Sequence, residues 1–422
     1  MEVLIIGAGI GGLTLALSLG DAGIPCRVFE AAPSIRPLGV GINLLPHAMR
    51  EMQALGLEPA IAAKGIETRR VSFYNRFGQH IFTEPRGRFA GYDWPQYSIH
   101  RGDLQAVLLD AVIERLGPDA VRTGHRLVGA EQSESGVVAR FEDPETGEAL
   151  PSVSGDLLIG CDGIRSTTRA LLHPDDGPLV YSGITMWRGI TRWKPFLDGA
   201  TMAYAGWLET GKVIFYPVRD AVDADGRQEI NWLCEFHTPP RDPSGDWSRA
   251  GEIDDFLWAC REMKFDWLDV PAFVQAADFI LEYPMVDKDP LSRWSFGRMT
   301  LAGDAAHPMY PRGSNGAGQA ILDARCLTGH LARASAASDP ATALKAYEAD
   351  RLQPTTDVVL ANRSIPPDAI LREIFERTGD RPFENIDDVI GQDELRALST
   401  RYKQIAGFER ESLKARGDLV SG

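Results

Sequence analysis

The amino-acid sequence predicts an α/β protein: a Rossmann-like dinucleotide-binding domain, an inserted antiparallel-sheet domain and a helical C-terminal region. Three observations predict it. Near the start, a short apolar run leads into Gly7, Gly9 and Gly12 in the spacing GxGxxG, then a helix-period stretch and a second apolar run. That is the order of a βαβ unit. Between Ser182 and Phe236 the pattern changes to short aromatic-rich runs punctuated by turn residues, as in an antiparallel sheet. From Ala317 onward the chain is mostly helical in character.

Each element follows from its residues. Positions 2–6 read as a buried parallel strand, 10–23 as a helix stopped by Gly23, and 26–30 as the second strand. Positions 101–115 carry Leu104, Val107, Leu108 and Val112 on one helical stripe. Positions 137–141 and 156–159 read as strands, and the sheet runs are 184–190, 202–207, 212–218 and 230–236. Positions 299–302 return to the buried-strand type. In the tail, Leu371, Ile374 and Phe375 form an apolar stripe, suited to covering the nucleotide domain or to pairing with another chain. The expected division is a nucleotide domain from 1–70, 100–180 and 285–360, a sheet-based substrate domain from 71–99 and 181–284, and a helical tail from 361–422. No Gly/Ser linker separates the two domains, so they are expected to share an interface, where ligand sites tend to lie.

Composition narrows the function. The 422 residues carry a formal net charge of −15, which disfavours a nucleic-acid binder, because phosphates are read by basic surfaces. No apolar run approaches the roughly 20 residues of a membrane span, and positions 3–6 are too short for a signal-peptide core. A cytoplasmic protein without a transmembrane segment is expected, as monomer or homodimer. The five cysteines are scattered, without a CxxC pair. Neither a disulfide framework nor a metal site is expected, and each thiol reads as buried and inert.

Three loops carry the chemistry. In the first, Gly7 allows a tight turn, Gly9 lets the backbone approach a diphosphate and Gly12 allows close helix packing. The helix N-terminus adds unpaired N–H groups. Glu30 ends the next strand, where a carboxylate accepts bonds from ribose hydroxyls. In the second, Asp162 and Gly163 follow a strand; Asp162 reads either as a cofactor-motif residue or as a turn residue and helix cap. In the third, an apolar strand delivers Gly303 and Asp304, then His307, Pro308, Met309 and Tyr310, and a glycine-rich loop opens a long helix at Gly316 and Ala317. Asp304 is placed for polyol hydroxyls, and the helix N-terminus for negative charge on a flavin ring. Together they describe an FAD site.

GxGxxG, Asp-Gly and Gly-Asp, in this order and spacing, resemble the single-component flavoprotein aromatic hydroxylases, the family of para-hydroxybenzoate and salicylate hydroxylases. The resemblance covers roughly positions 1–360. It is most specific to the phenazine hydroxylase branch, through IRPLGVGIN at 35–43, PQYSIHRGDLQ at 95–105, GITMWRG at 183–189 and LEYPMVDKDPL at 281–291. The resemblance implies that Glu30 holds the adenosine ribose, and that Arg101 reaches the phosphate–ribityl region with Arg36 in a loop near the same cofactor. It also implies that Asp304 binds the ribityl chain, that Gly316 and Ala317 flank the isoalloxazine, and that Asp162 links cofactor binding to nicotinamide use. One departure stands out: many members carry an amide side chain where this chain has Gly318.

The resemblance also implies the reaction. NADH or NADPH docks transiently and reduces FAD; O₂ then gives a flavin C4a-hydroperoxide, which transfers one oxygen to a small planar aromatic or N-heteroaromatic substrate. Such a site must be dry. Candidate walls are Met186, Trp187, Tyr204, Tyr216, Trp232 and Met309, although aromatic residues also dominate ordinary cores. Arg188 reads as a carboxylate anchor or a structural arginine. His307, Tyr310 and Pro308 are the catalytic candidates; His307, like His100, reads as a proton relay or as a hydrogen-bonded structural residue. The competing readings are a Baeyer–Villiger oxygenase, a non-oxygenating FAD protein, a halogenase and an NAD-dependent dehydrogenase. The halogenase lacks support, since no WxWxI occurs and Lys64 is the only early lysine. The dehydrogenase does not explain the Gly-Asp segment.

Overall fold

The computed structural model describes all residues except 37–38, 240–248, 335–338, 365, 416, 418 and 421–422. Pro37 and Leu38 of the 35–43 stretch therefore lie outside the described residues.

β1 (Val3–Ile6) is buried along its whole length, because it pairs in parallel with a strand on each side. Those neighbours are β2 (Cys26–Phe29), after the helix α1 (Ile10–Asp21), and, far along the chain, β4 (Leu157–Gly160). Between them come α2 (Arg101–Leu116) and β3 (Val121–Arg122); β5 (Met299–Leu301) completes a five-stranded parallel sheet in the order β5–β4–β1–β2–β3. Strands covered on both faces read as unbroken apolar runs, which is why they were legible. Register places Ile6 beside Phe29 and Gly160, and Gly160 beside Leu301. Four strands therefore end in line, and the turns after them share one rim. A side chain at Gly7 (φ +100°) would meet the Cys161 carbonyl at 2.5 Å, and one at Gly12 would collide with the Gly7 carbonyl. The tight turn requires glycine at both positions. A three-stranded antiparallel sheet of Arg126–Gln132, Val137–Glu142 and Ala149–Gly155 lies beside it.

The second sheet has seven strands, in the order Ile280–Asp287, Val180–Trp193, Gln228–His237, Gly211–Arg219, Thr201–Trp207, Arg70–Tyr74, His80–Pro85. It is antiparallel except where Thr201–Trp207 runs parallel to Arg70–Tyr74; residue pattern alone carries no information on pairing direction. Its last strand runs past the expected boundary at 285. Alternation along the strands makes two faces. One carries Met186, Ile214, Tyr216 and Leu233. The other carries Trp187, Phe215, Trp232 and Cys234, packed on Phe256 and Phe273. A short strand, Gly41–Leu44, joins the domains. Its Gly41 N–H donates to Asn231 Oδ1 (2.8 Å), and its Gly41 carbonyl accepts from Arg188 Nη2 (2.9 Å).

Three long helices follow the last parallel strand: α3 (Gly316–Arg333), α4 (Pro340–Ser364) and, after a turn, α5 (Ala369–Thr378); α6 (Gln392–Ile405) comes next. α3 packs on α1. The tail stripe finds its partner within the chain: Ile370, Leu371 and Ile374 are buried against the Met186–Tyr216 face, with Phe375 partly buried beside them. Apolar burial of this kind contributes about 1.5–3 kcal/mol per large side chain, enough to hold the tail as a wall of the sheet domain. Among the described residues, no helix is long and apolar enough to cross a membrane.

Candidate active site

The rim formed by the four strand ends gathers most of the sequence-predicted cofactor residues. α1 starts at Gly9 without a side-chain cap or an acidic first turn, so its leading N–H groups are available to an anion. Nothing lies within 4 Å of where a Gly9 side chain would project. Glu30 braces this turn, accepting from the Ala8 N–H (2.7 Å) and the Ala32 N–H (2.8 Å). From the other side Gln105 Nε2 donates to the Ala8 carbonyl (2.8 Å). Gln105 was not singled out from sequence, although it lies one helical turn after Arg101 and so shares its face.

Asp304 follows β5 in a short 3₁₀ turn and is exposed on the rim. Although its surface is open on the rim, the protein packed around that opening pushes the carboxyl up, against the pull of His307 and Arg101; Asp304, His307 and Arg101 thus lie near one another. α3 begins here as well: a side chain at Gly316 would come within 3.8 Å of Asp304 Oδ1, and its N-terminus has no side-chain cap. Ala317 is the next residue of the same turn. Arg101 opens α2 and packs close to Gly39. Arg36 is exposed, with one bond to Ser34 Oγ (3.2 Å). The departure at Gly318 has a local cause. A side chain there would meet His47 Nε2 at 3.0 Å, so the His47 ring, stacked on Phe408, takes the room that a larger residue would need.

Several candidates turn out to brace the site. Asp162 accepts from Ser166 Oγ (2.5 Å), the Thr168 N–H (2.9 Å) and Thr168 Oγ1 (3.1 Å). That is the turn-and-cap alternative, and burial raises its carboxyl. His100 caps α2, accepting from the Gly102 N–H through Nδ1 (3.1 Å). The His307 ring is buried, with Nε2 at 2.5 Å from Asp323 Oδ2. Asp323 also accepts from the Gly303 N–H (2.9 Å) and from Arg351 Nε (2.8 Å). Burial alone would raise the Asp323 carboxyl, but the His307 and Arg351 charges hold it well below the usual range. His307 thereby ties the Gly303–Asp304 turn to α3 and α4. Sequence reading missed Asp323 and Arg351, whose only sign is that both are charged residues on otherwise core-facing helix positions.

The substrate-wall candidates divide between the two faces of the sheet. Met186, Tyr204 and Tyr216 share one cluster with Tyr310. Trp187 and Trp232 do not. Trp187 stacks on Phe236 and Phe256 on the opposite face, and Trp232 Nε1 donates to Thr191 Oγ1 (2.9 Å) there. Alternation along a strand enforces the split, so both tryptophans are core residues, not pocket walls. Arg188 spans the domain junction through Gly41, its guanidinium 5.7 Å from the Tyr283 ring. Pro308 is buried, and Met309 packs toward Leu45, Val358 and Tyr402. Tyr310 is buried, and burial with the Asp287 charge pushes its phenol up to about 12.

The tail grips the same loop. Asn362 Nδ2 donates to the Tyr310 carbonyl (3.1 Å), and the Tyr402 hydroxyl bonds Asn362 Oδ1 (2.6 Å) and receives Asn315 Nδ2 (2.8 Å). Tyr402, on α6, lies almost a hundred residues from the loop it holds; nothing local in the sequence marks it.

The cradle fits FAD. A helix start suited to an anion with room over Gly9, a carboxylate behind it at Glu30, an exposed Asp304 near Arg101 and a second uncapped helix start at Gly316 suit a diphosphate, a ribose, a polyol and an electron-poor ring. Comparison with known proteins agrees. Residues 1–178 and 280–362 match the FAD binding domain family. Over 365 residues the chain is 47% identical to the phenazine 1,6-dicarboxylic acid hydroxylase PhzS of Lysobacter antibioticus, covering 86% of this chain and 89% of the relative. It is 32% identical over 366 residues to 3-amino-4-hydroxybenzoate 2-monooxygenase of Streptomyces cremeus, covering 85% of each. HpxO of Klebsiella pneumoniae, solved in complex with FAD and uric acid, shares the fold with a TM-score of 0.70 at 26% identity, over 96% of this chain and 92% of that one. The chain belongs to the FAD binding domain family, among flavoprotein aromatic monooxygenases, and FAD is its cofactor.

Proposed function

We propose that this monooxygenase inserts one O₂-derived oxygen into a small planar aromatic or N-heteroaromatic acid, with NADH or NADPH as electron donor, in the cytoplasm as a monomer or homodimer. The observation that carries the reading is the convergence of Asp304, Arg101 and the start of α3 at the strand ends, beside a sheet face that the tail closes. The two relatives above are named for acting on aromatic acids, which supports the substrate class.

When bound, FAD supplies electron transfer from NAD(P)H and the activation of O₂. The protein supplies the rest. Gly7, Gly9 and Gly12 shape the diphosphate turn, and Glu30 both braces that turn and receives the ribose. Asp304 and Arg101, with Arg36 nearby, hold the polyol and phosphate region. Gly316 and Ala317 present N–H groups to the ring, and Asp162 holds the second turn in shape. Met186, Tyr204 and Tyr216 wall the chamber and exclude water, which protects an oxygenating site from wasteful decay. Pro308, Met309 and Tyr310 form its loop side, with His307 as the brace beneath. A phenol near 12 leaves Tyr310 protonated at neutral pH, with its hydroxyl donating to the Val180 carbonyl (3.4 Å).

The test is direct. The purified protein is expected to be yellow, and an aromatic acid should stimulate NAD(P)H oxidation and yield a product heavier by one oxygen atom. A colourless protein that takes up no added FAD would sink the reading. Ester or halogenated products would instead move it to the Baeyer–Villiger or halogenase alternatives.

A further inference from the structure

One arginine in the loop after Tyr310 has two enclosed nitrogens without a hydrogen-bond partner among the described residues. Arg312 lies in the loop between Tyr310 and the start of α3. It is partly buried, and its Nε and Nη2 are shut away from solvent without a hydrogen-bond partner among the described residues. Arg86 and Arg188 also enclose an Nε without a hydrogen-bond partner, but each is held through another nitrogen, Arg86 by Glu84 and Arg188 by the Gly41 carbonyl, while Arg169, Arg351 and Arg363 are paired with Asp176, Asp323 and Asp287. Leaving a buried donor unpaired costs about 1–3 kcal/mol, so a guanidinium with two enclosed nitrogens unbonded points to an external anion.

Its placement is built. The loop backbone is held from the tail side, where the Tyr310 carbonyl accepts from Asn362 and the Arg312 carbonyl from the Tyr402 hydroxyl (3.3 Å). Gly313 (φ +70°) lies so close to the Tyr402 ring that a side chain there would collide with it. The Arg312 charge is felt by Asp368, at the start of α5. Asp368 is itself taken up by Lys212, which also binds Glu235, and all three are buried. In the sheet register Lys212 stands opposite Glu235, which in turn stands opposite Met186. Tyr216 lies four residues further along the Lys212 strand, about 13 Å away, at the Gly41 junction with the nucleotide domain. This face of the sheet therefore runs from the junction at Tyr216 to the buried charges of Lys212, Glu235 and Asp368, the last of which feels Arg312. Arg188 is already committed at the junction end.

We propose that Arg312 is the carboxylate anchor of the substrate, gripping the acid group at the end of the chamber remote from the nucleotide domain. The inference rests on the aromatic-acid reading above and adds the residue that enforces it. A planar guanidinium pairs with a carboxylate through two parallel hydrogen bonds, which fixes orientation as well as affinity. A ring held by its acid at the far end presents its opposite edge toward the cofactor side.

The test uses the FAD-loaded full chain and reads ligand binding from the perturbation of flavin absorbance. The probes are phenazine-1-carboxylate and its neutral partner phenazine-1-carboxamide. Arg312→Gln is expected to weaken the acid by roughly 10- to 100-fold while shifting the amide by less than about twofold. Arg312→Lys should recover part of the acid binding, and both variants should keep wild-type FAD content and melting temperature. Equal acid affinity in wild type and Arg312→Gln would overturn the anchor and leave the aromatic-acid reading standing. A wild type that binds the amide as tightly as the acid, or binds neither, would overturn the substrate reading and the anchor together. Loss of FAD in both variants would assign Arg312 to the cofactor loop and overturn the anchor.

Discussion

The two faces of the seven-stranded sheet come from alternate residues of the same strands, yet they do different work. One face is almost wholly aromatic and aliphatic: Trp187, Phe215 and Trp232 pack against Phe256 and Phe273. The other mixes Met186, Tyr204 and Tyr216 with Arg188 and the buried Lys212, Glu235 and Asp368. Aromatic density marks the core, whereas sparse, mutually placed polar groups among apolar ones mark the face proposed for the substrate. Burying such polar groups is costly unless they are paired, so a fold retains them where they have a use.

The largest effect should come from the core face. Trp232→Ala removes a fully buried indole and is expected to cost about 3–5 kcal/mol of stability in denaturant unfolding. FAD affinity of the remaining folded protein should stay unchanged; if aromatic-acid binding falls at equal FAD content, the division between faces is wrong. At the strand ends, Asp304→Ala should weaken FAD by roughly tenfold or more, about 1.4 kcal/mol, in fluorescence titration of the apoprotein, with little change in unfolding. An unaltered FAD affinity would remove Asp304 from the cofactor site.

A pH experiment sharpens the brace beneath the site. The folded Asp323 carboxyl lies below its unfolded value of about 4. Its contribution is therefore fully present above about pH 4 and lost as pH falls further, toward the folded value. Asp323→Asn should flatten that acid limb in pH-dependent unfolding, whereas a limb as steep as wild type would show that other carboxylates dominate. The smallest effect concerns Tyr310. With its phenol near 12, Tyr310→Phe should leave the pH profile of turnover unchanged below about pH 9, where an ordinary phenol near 10 stays protonated. A lost basic limb in that range would restore Tyr310 as a proton acceptor.

Much of the nucleotide domain was legible because its signals are local. Parallel strands buried on both faces are continuous apolar runs, and Gly7 and Gly12 sit where a side chain would strike backbone. The sheet strands were legible too, but not their faces: Trp187 and Trp232 look like pocket residues until alternation is anchored to a known partner layer. Asp162, His100 and His307 each admit two meanings in sequence. A carboxylate or imidazole next to a motif looks the same in sequence whether it faces a ligand or the turn behind it; only the partners Thr168, Gly102 and Asp323 decide.

The sequence by itself determined that three strand ends would carry glycine and carboxylate turns for a dinucleotide, because those turns depend on backbone sterics and residues a few positions apart. Only the tertiary structure decided that Asn362 and Tyr402 hold the loop after Tyr310, that the tail covers one face of the sheet and that Arg312 Nε and Nη2 find no hydrogen-bond partner among the described residues. Contacts between residues tens of positions or more apart leave no periodicity to read, since they arise from the packing of whole elements against one another.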